Sequence, residues 1–383
     1  MKIRLFYHSL LSDWNNGNAH FLRGIARELQ SRGHDVLVYE PADAWSLQNL
    51  RADYGDGPLR RFHDVYPTLD SVPYDLATFD LEPAVADADL VLVHEWNAPE
   101  LVKRIGASRR QHDFVLLFHD THHRLVTDPQ SMRALDLTGY DGVLAYGNAL
   151  RERYLSEALV ERAWTWHEAA DTRVFRPRAS APLSGDLVWI GNWGDGERTE
   201  ELYEFLIEPV RALGLKARVH GVRYPDHAIA ALARAGIEYG GWVPNFDVPL
   251  VFSQFKVTVH VPRRPYVQAL PGIPTIRPFE ALACGIPLIC SPWSDREELF
   301  TPGKDFLLAR DGREMTELLR RLLADEAKRW ALASHGVDTI LSRHTCAHRV
   351  DELLSIHARV WAETRATGCV PGPPQLATPT ARC

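Results

Sequence analysis

The sequence has few cysteines: five in 383 residues, an odd number, with no C-x-x-C pair. This pattern excludes a disulfide framework and a zinc site built on paired cysteines. Free cysteines are among the most buried residue types, so buried thiols are expected here. The five are Cys284, Cys290, Cys346, Cys369 and Cys383.

The sequence also lacks a long hydrophobic run. No stretch reaches the roughly 18 to 20 uncharged apolar residues that a membrane-spanning helix needs. The start, MKIRLFYH, leads into strand-like sequence without the apolar stretch of a signal peptide. We therefore expect no transmembrane segment and a cytoplasmic protein. Basic residues are in deficit, 43 against 50 acidic ones, so the net charge of -7 gives no reason to expect a nucleic acid partner.

A chain of 383 residues exceeds the usual size of a single core, so two domains of roughly 150 to 200 residues are expected. The extended, proline-terminated segment HEAADTRVFRP (167–177) marks the joint. We predict a first domain over residues 1–168, a second over 169–345 and a C-terminal helix over 346–367. A disordered tail is predicted over 368–383, where four prolines occur in 16 residues.

Short apolar runs alternate with amphipathic stretches along most of the chain. For example, Leu22, Ile25 and Leu29 share one helical face, and Gly33 follows where that helix should end. This alternation predicts an α/β fold with two doubly wound, Rossmann-like domains that face each other across a cleft. The predicted strands are residues 3–8, 35–40, 89–95, 114–120 and 142–147 in the first domain, and 185–192, 216–221, 256–262 and 286–291 in the second.

Ligands of open parallel sheets bind beyond the carboxyl ends of the strands, and these ends are polar here. The cluster HDTHHR (119–124) could bind a metal, but the adjacent His122 and His123 point apart on regular backbone, so a hydrogen-bonding role is favoured. The polar residues at this edge of the first domain are His8, His94, Glu95, His119 and Asp120.

The second domain offers a glycine-bearing loop, GNWGDGERTEEL (191–202), between a strand and a helix. It is either a plain tight turn or a phosphate-binding loop. Two arginines after the strand 256–262 could likewise pair with a diphosphate or form a solvated turn. Tryptophans 14, 96, 193 and 293 follow predicted strands and could stack on a sugar or a base. The candidate residues are Gly191, Asn192, Trp193, Arg198, Arg263 and Arg264.

The segment TIRPFEALACGIPLICSPW (275–293) carries the sharpest local pattern. Pro278 suits the first position of a helix, which would place Glu280 in the first turn, and Gly285 suits its end. A carboxylate there could accept hydrogen bonds from a ribose diol. Alternatively, it could only complement the helix dipole.

The segments FEALACGIPLI and ELFTPGKDFLLARDGREMTELLRRLL, followed by HT and Arg349, resemble the C-terminal half of GT-B glycosyltransferases, particularly the spore-maturation branch. The resemblance extends to the loop SDWNNGNAHF and to His119–Asp120, and so covers most of residues 1–350. It implies a second domain that binds a nucleotide-sugar donor, with Glu280 on the donor ribose, and a first domain that binds the acceptor. The predicted acceptor-side residues are Asn16, Gly17, His20 and His94.

The implied reaction moves a sugar, in the hexosyltransferase class, from a nucleotide diphosphate sugar to an acceptor hydroxyl or amine, without a cofactor. The acceptor could be a small molecule, a glycan or a lipid-linked group. The departing nucleotide diphosphate needs cations, and Arg277, by its position, could contact a phosphate beside Arg198, Arg263 and Arg264. With these arginines, no metal is predicted.

Many retaining GT-B enzymes carry a second glutamate eight positions before the first, where this chain has Gly272. Retention therefore does not carry over. An inverting reaction would need a general base, for which His119, Asp120 and Glu95 are the candidates. Two alternatives of the same architecture stay open: a nucleotide-sugar epimerase and a non-enzymatic two-domain sugar-binding protein.

Overall fold

A computed structural model describes residues 1–178 and 182–367, so the tail predicted over 368–383 lies outside the described residues. The chain forms two parallel sheets. The first has seven strands in the order β3-β2-β1-β4-β5-β6-β7. They are β1 (Lys2–Phe6), β2 (Asp35–Pro41), β3 (Ser71–Tyr74), β4 (Leu90–His94), β5 (Val115–Asp120), β6 (Gly142–Ala145) and β7 (Ala163–Thr165).

The second sheet has six parallel strands in the order β10-β9-β8-β11-β12-β13. Both sheets therefore reverse their order beside the first strand, as doubly wound dinucleotide-binding sheets do. This confirms the predicted α/β fold with two Rossmann-like units. The strands are β8 (Gly185–Ile190), β9 (Ala217–His220), β10 (Ile237–Tyr239), β11 (Phe255–His260), β12 (Leu288–Cys290) and β13 (Leu307–Leu308).

Helices cover both faces of the first sheet, so its central strands are apolar throughout; all five residues of β4 are buried. The predicted helix over Leu22, Ile25 and Leu29 is α1, and these side chains face the core. The helices before the second sheet are α1 (Ala19–Ser31), α2 (Trp45–Tyr54), α3 (Gly57–Val65), α4 (Glu82–Val85), α5 (Pro99–Ser108), α6 (Arg124–Thr127), α7 (Pro129–Arg133) and α8 (Asn148–Ser156).

The second unit continues into three long helices at its C-terminal end. A π turn (Tyr203–Ile207) joins α9 to α10, and a 3₁₀ turn (Asn245–Asp247) precedes α12. The helices are α9 (Thr199–Leu202), α10 (Glu208–Leu213), α11 (Asp226–Arg234), α12 (Val248–Phe252), α13 (Arg264–Gln268), α14 (Ile276–Cys284), α15 (Gly312–Ala324), α16 (Glu326–Arg343) and α17 (Cys346–Thr367).

Helix α17 crosses back and packs on α1 of the first unit. Gly24 makes this close approach possible, because a Cβ at that position would lie only 2.4 Å from the Sγ of Cys346. Leu353 and Val360 are buried in the same core as α1. The segment that joins the two sheets is held here too, since Ala170 pairs with Thr345 in a parallel bridge. The last helix therefore ties both units together.

The start of α14 corrects one prediction. Thr275 precedes the helix, so Pro278 is its third residue and Glu280 its fifth, not a first-turn residue. Proline fits this third position because the first N–H groups of a helix have no acceptor within it. Gly285 ends the helix in the left-handed conformation at φ +67°, as predicted.

Candidate active site

A cavity of about 870 Å³ lies between the carboxyl ends of the two sheets. It opens at the strand crossover of each sheet, where β1 neighbours β4 and β8 neighbours β11. His8 and Trp96 line it from the first sheet, and Gly191 and Val261 line it from the second. Two crossover points that face one cavity give the cleft that the sequence predicted.

Trp96 is an exposed aromatic residue on the first wall of the cavity, with 43% of its surface accessible; Trp45, 49% accessible, lines the same cavity. His8 and His122 flank it, with ring centroids 6.2 and 5.4 Å from the indole. The Arg124 guanidinium lies 4.0 Å from the ring centroid. Of the four tryptophans singled out from the sequence, the other three are buried and pack in cores: Trp14, Trp193 and Trp293.

The two flanking histidines are neutral at neutral pH. Burial, with a smaller contribution from Arg124, lowers the pKa of His8 to about 4. Burial and then the neighbouring His123 lower the pKa of His122 to about 2. Among the described residues, the Nδ1 atoms of both rings have no hydrogen-bond partner. Each neutral imidazole can therefore bond to a ligand in the cavity.

The three predicted catalytic residues do not line the cavity. His119 is buried; its Nδ1 lies 2.7 Å from the Tyr7 hydroxyl, and burial lowers its pKa to about 3. The two carboxyl groups are also buried, and burial raises the pKa of Glu95 and of Asp120. These residues form the layer beneath the wall.

The buried carboxyl groups hold the loop that carries His122. Glu95 accepts hydrogen bonds from the Thr121 N–H at 3.2 Å and from Arg124 at 3.0 and 3.1 Å. Asp120 accepts from the His122 N–H at 3.1 Å and from the Tyr154 hydroxyl at 2.7 Å. The predicted acceptor-side His94 is buried as well, with its Nε2 3.0 Å from the Thr121 hydroxyl. Through these contacts, Glu95, Asp120 and His94 hold the segment 121–124 in place.

The loop after β8 forms the second wall, and most of its predicted residues are found there. Gly191, Asn192 and Arg198 line the cavity, whereas Trp193 is buried. Asn192 also hydrogen-bonds to Asn15 of the first unit. Arg198 donates to the carbonyls of Val261 (2.9 Å) and Asn192 (2.6 Å), so it braces the loop. Burial lowers its pKa to about 9.

The two arginines after β11 separate in the structure. Arg263 lines the cavity and lies 2.8 Å from the Glu197 carboxylate. Arg264 does not line it, because its guanidinium is bound to Glu201 at 2.8 Å and to the Gly196 carbonyl at 2.8 Å. Only Arg263 of this pair can reach a ligand without moving.

The start of α14 meets the glycine loop of the first unit at the cavity. Thr275, Ile276 and Arg277 line the cavity beside the predicted residues Asn16 and Gly17. A Cβ at Gly17 would lie 3.1 Å from Cγ2 of Ile276, so the small residue lets the loop approach the helix. Gly272, the position compared above with the second glutamate of many retaining GT-B enzymes, has φ +99°, a conformation that disfavours any side chain.

Glu280 and His20, predicted on opposite sides of the cleft, are both fully buried and bind each other. His20 Nδ1 lies 2.9 Å from Glu280 Oε1, and the other carboxylate oxygen accepts from Arg277. His20 Nε2 accepts the Asp171 N–H at 2.8 Å, so the proton sits on Nδ1 and is donated to Glu280. Neither residue lines the cavity, contrary to expectation.

The sequence reasoning missed several residues that line the cavity. Glu168 is 2% exposed and lies in the segment that was interpreted only as a linker. His260, the last residue of β11, has its Nε2 3.2 Å from the Thr275 hydroxyl. Asp13 binds Trp242 (3.1 Å) and the Asn245 N–H (3.0 Å) across the cleft. Glu168 is one of two acidic residues in the charged segment HEAADTRVFRP (167–177), so its sequence context gave no specific signal.

The described residues give two further observations. In the chain as described, His, Cys, Asp and Glu side chains form no group of three or more suited to a metal ion. None of the helices in the described ranges has the length and apolar character needed to cross a bilayer. Cys284, Cys290 and Cys346 are buried free thiols, as predicted; Cys369 and Cys383 lie outside the described residues.

Comparisons with known proteins add sequence and fold similarities. Residues 198–355 match the family model described as Glycosyl transferase-like. No curated protein sequence matches the chain. Sucrose-phosphate synthase from Thermosynechococcus elongatus has a similar structure, with 14% identity, a TM-score of 0.67, and coverage of 95% of this chain and 100% of that chain.

Two further structures contain a nucleotide. Anabaena HepE in complex with UDP and glucose has 15% identity and a TM-score of 0.67, covering 94% of this chain and 99% of that one. An alpha-glucosyltransferase in complex with UDP and a 13-mer DNA has 11% identity and a TM-score of 0.68, with the same coverage. Residues 198–355 are therefore similar in sequence to glycosyltransferases, and the described chain has the two-domain GT-B fold of these solved structures.

Proposed function

We propose that the cavity binds a nucleotide diphosphate hexose and transfers the hexose to an acceptor held against Trp96. One observation carries this proposal: the two walls of the same cavity differ in chemistry. Arg198, Arg263 and Arg277 line the second wall, with the start of α14. An aromatic ring between two neutral histidines forms the first wall. The volume of about 870 Å³ lies within the range of small-molecule sites.

The second wall suits a diphosphate. A helix start carries partial positive charge and free N–H groups, and Arg277 stands in the first turn of α14. As the sugar–phosphate bond breaks, negative charge builds on the departing nucleotide diphosphate. Arg277 and Arg263 would stabilise that charge. The structures of HepE and of the alpha-glucosyltransferase contain UDP, so UDP-hexoses are the first donors to test.

The first wall suits an acceptor that carries a sugar-like or aromatic face, because such a group can stack on Trp96. In an inverting reaction, His8 or His122 would accept the proton of the acceptor hydroxyl. In a retaining reaction, the donor phosphate would take that role. The anomer of the product, determined by NMR, decides between these routes.

The net charge of -7 favours an acceptor other than nucleic acid. We also propose that the chain belongs to the spore-maturation branch of these enzymes, which its C-terminal segments resemble.

Nucleotide release from UDP-, GDP- and dTDP-sugars tests the function directly. A glycosyltransferase should release nucleotide faster when an acceptor is present and should form a glycosylated product. An epimerase would release product without an acceptor, and a sugar-binding protein would release none. Absence of any nucleotide release with all donors and a broad acceptor panel would contradict the proposal.

Removal of Trp96 is expected to weaken acceptor binding selectively. Replacing Trp96 by Ala should raise the acceptor KM about 10- to 50-fold, because the stacking surface is lost, while the donor KM changes less than about twofold. Steady-state kinetics with each substrate varied in turn measures both values. Trp330→Ala, which removes a 72% exposed tryptophan on α16, is the matched control and should change neither KM. Equal effects on both substrates would contradict a stacking role.

Chelation is expected to leave the activity intact. The proposed charge stabilisation comes from arginines, so incubation with EDTA should change kcat less than about twofold. The assay compares treated protein with and without added Mg²⁺ or Mn²⁺. A large loss on chelation that either metal restores would show that a divalent ion shares the diphosphate.

A further inference from the structure

Glu168 is a buried acid on the cavity wall that the proposed reaction has not yet used. It lies after β7, in the segment that joins the two sheets, and 2% of its surface is exposed. Within the described part of the chain, its Oε1 has no hydrogen-bond partner. Because an unpaired buried polar atom costs free energy, such an atom beside a cavity indicates a ligand group.

A second orphaned atom lines the same cavity. His260 is 3% exposed, and in the described residues its Nδ1 has no partner, while its Nε2 contacts Thr275. Burial and then Arg198 lower the pKa of His260 to about 3, so the ring is neutral. Glu168 and His260 come from opposite units of the fold. A ligand that satisfies both must lie between the two sheets.

We propose that Glu168, as a neutral carboxylic acid, binds a hydroxyl group of the transferred sugar and so helps to select the donor. This rests on the function proposed above. A protonated carboxyl group has one O–H donor and one carbonyl acceptor, which together match a sugar hydroxyl that accepts and donates. The contact would set which hydroxyl pattern the site accepts, since a polar site discriminates strongly against a sugar that lacks its partner.

The surroundings of Glu168 favour its protonated form. Burial, and then the charge of Glu280, raise its pKa well above the ordinary value, while Arg277 acts in the opposite direction. An ionised carboxylate at this place would also repel the diphosphate that Arg277 is proposed to bind. The ionisable groups around Glu168 are Glu280 and Arg277 on α14, Tyr146 after β6, Tyr266 on α13 and Cys346 at the start of α17.

The position of Glu168 fits the sugar better than the base or the ribose. The charge of Arg277, the residue proposed to contact the diphosphate, acts on the Glu168 carboxyl group, and the sugar is directly bonded to that diphosphate. His260 precedes the cavity-lining Val261 and Arg263, on the same side as the departing group. A hydroxyl bound by Glu168 would therefore belong to the sugar, near the bond that breaks.

Two variants test whether Glu168 acts as a neutral acid or as a carboxylate. Glu168→Gln keeps one donor and one acceptor and should retain kcat/KM for the donor within about threefold of the wild type. Glu168→Ala removes both and should lower it about 10- to 100-fold. The control Glu152→Ala, an exposed glutamate on α8, should behave as wild type. Melting temperatures check that each variant is folded.

The pH dependence of the donor KM provides an independent test. As rising pH removes the proton from Glu168, the wild-type donor KM should rise, whereas the donor KM of Glu168→Gln should not show this increase. A series of deoxy-hexose donors should show one position at which the wild type discriminates and Glu168→Ala does not.

Calorimetry separates failure of this inference from failure of the proposed function. The wild type should bind the nucleotide sugar more tightly than the nucleotide alone, and Glu168→Ala should lose most of that difference. If the wild type binds neither, the proposed function fails and this inference with it. If the wild type shows the difference and Glu168→Ala keeps it, the inference alone is overturned. It is also overturned if Glu168→Gln is as impaired as Glu168→Ala.

Discussion

Replacing Arg277 by Gln is expected to lower kcat/KM for the donor about 10²- to 10³-fold, the usual cost of losing one group that stabilises developing charge. Arg277 is the cation in the first turn of α14 and lines the cavity. The helix start holds it next to the space where a diphosphate would lie. Most of the loss should appear in kcat, because negative charge grows as the donor breaks.

Two comparisons show whether the effect comes from charge. Arg277→Lys keeps a cation but not the bidentate guanidinium, so it should recover only part of the lost activity. Arg310→Gln removes an exposed arginine whose side chain is 84% accessible, and it should leave the kinetics unchanged. Since Arg277 also binds Glu280, the melting temperature of each variant must be measured. Near wild-type kcat/KM in a folded Arg277→Gln protein would remove the residue from the mechanism.

Much of the fold could be predicted from sequence because buried parallel strands are continuous apolar runs. All nine predicted strands are present, with ends shifted by one or a few residues. The strands β3, β7, β10 and β13 were missed, and they are the outer strands of the two sheets. Each has two to four residues, and β3 contains Pro73 among exposed positions. An edge strand is covered on fewer sides, so its sequence carries a weak apolar signal.

The site could be predicted only in outline, because the identity of the wall residues depends on where each strand ends. His94 and Asp120 are the last residues of β4 and β5, and their side chains are buried. The residues that reach the cavity stand two positions further on: His8, Trp96 and His122. A sequence pattern predicts the end of a strand only to within a few residues. An error of two residues therefore assigns a buried residue to the cavity wall.

The pairing of His20 with Glu280 could not be predicted, because the two residues are 260 positions apart and belong to different units. The same holds for Asp13, whose partners Trp242 and Asn245 lie across the cleft. The motifs of His20 and Glu280 had each indicated a ligand contact, whereas Asp13 had not been singled out. The fold instead brings several of these polar groups against each other, and their charges are satisfied within the protein.

Replacing Glu280 by Gln is expected to lower the free energy of unfolding by about 3–5 kcal/mol, the cost of breaking a buried charged pair from one side. The amide nitrogen of glutamine would face the Arg277 guanidinium, so a donor would meet a donor. His20 would keep an acceptor only if the amide oxygen faces its Nδ1. Chemical denaturation followed by fluorescence measures the change, and a loss below about 1 kcal/mol would contradict a structural role.

Glu280→Gln, compared with His20→Ala, also tests whether Glu280 binds the donor ribose. His20→Ala removes the competing partner and frees one carboxylate oxygen, so the nucleotide affinity should stay the same or rise if that oxygen binds ribose. Glu280→Gln should then weaken nucleotide binding, and the two substitutions combined should resemble Glu280→Gln alone. If the carboxylate only joins the two units, both variants should lower the free energy of unfolding. Neither should then change the nucleotide affinity by more than a general loosening of the packing would. Weaker nucleotide binding in Glu280→Gln but not in His20→Ala, with lower stability in both variants, therefore separates a ligand contact from a structural one.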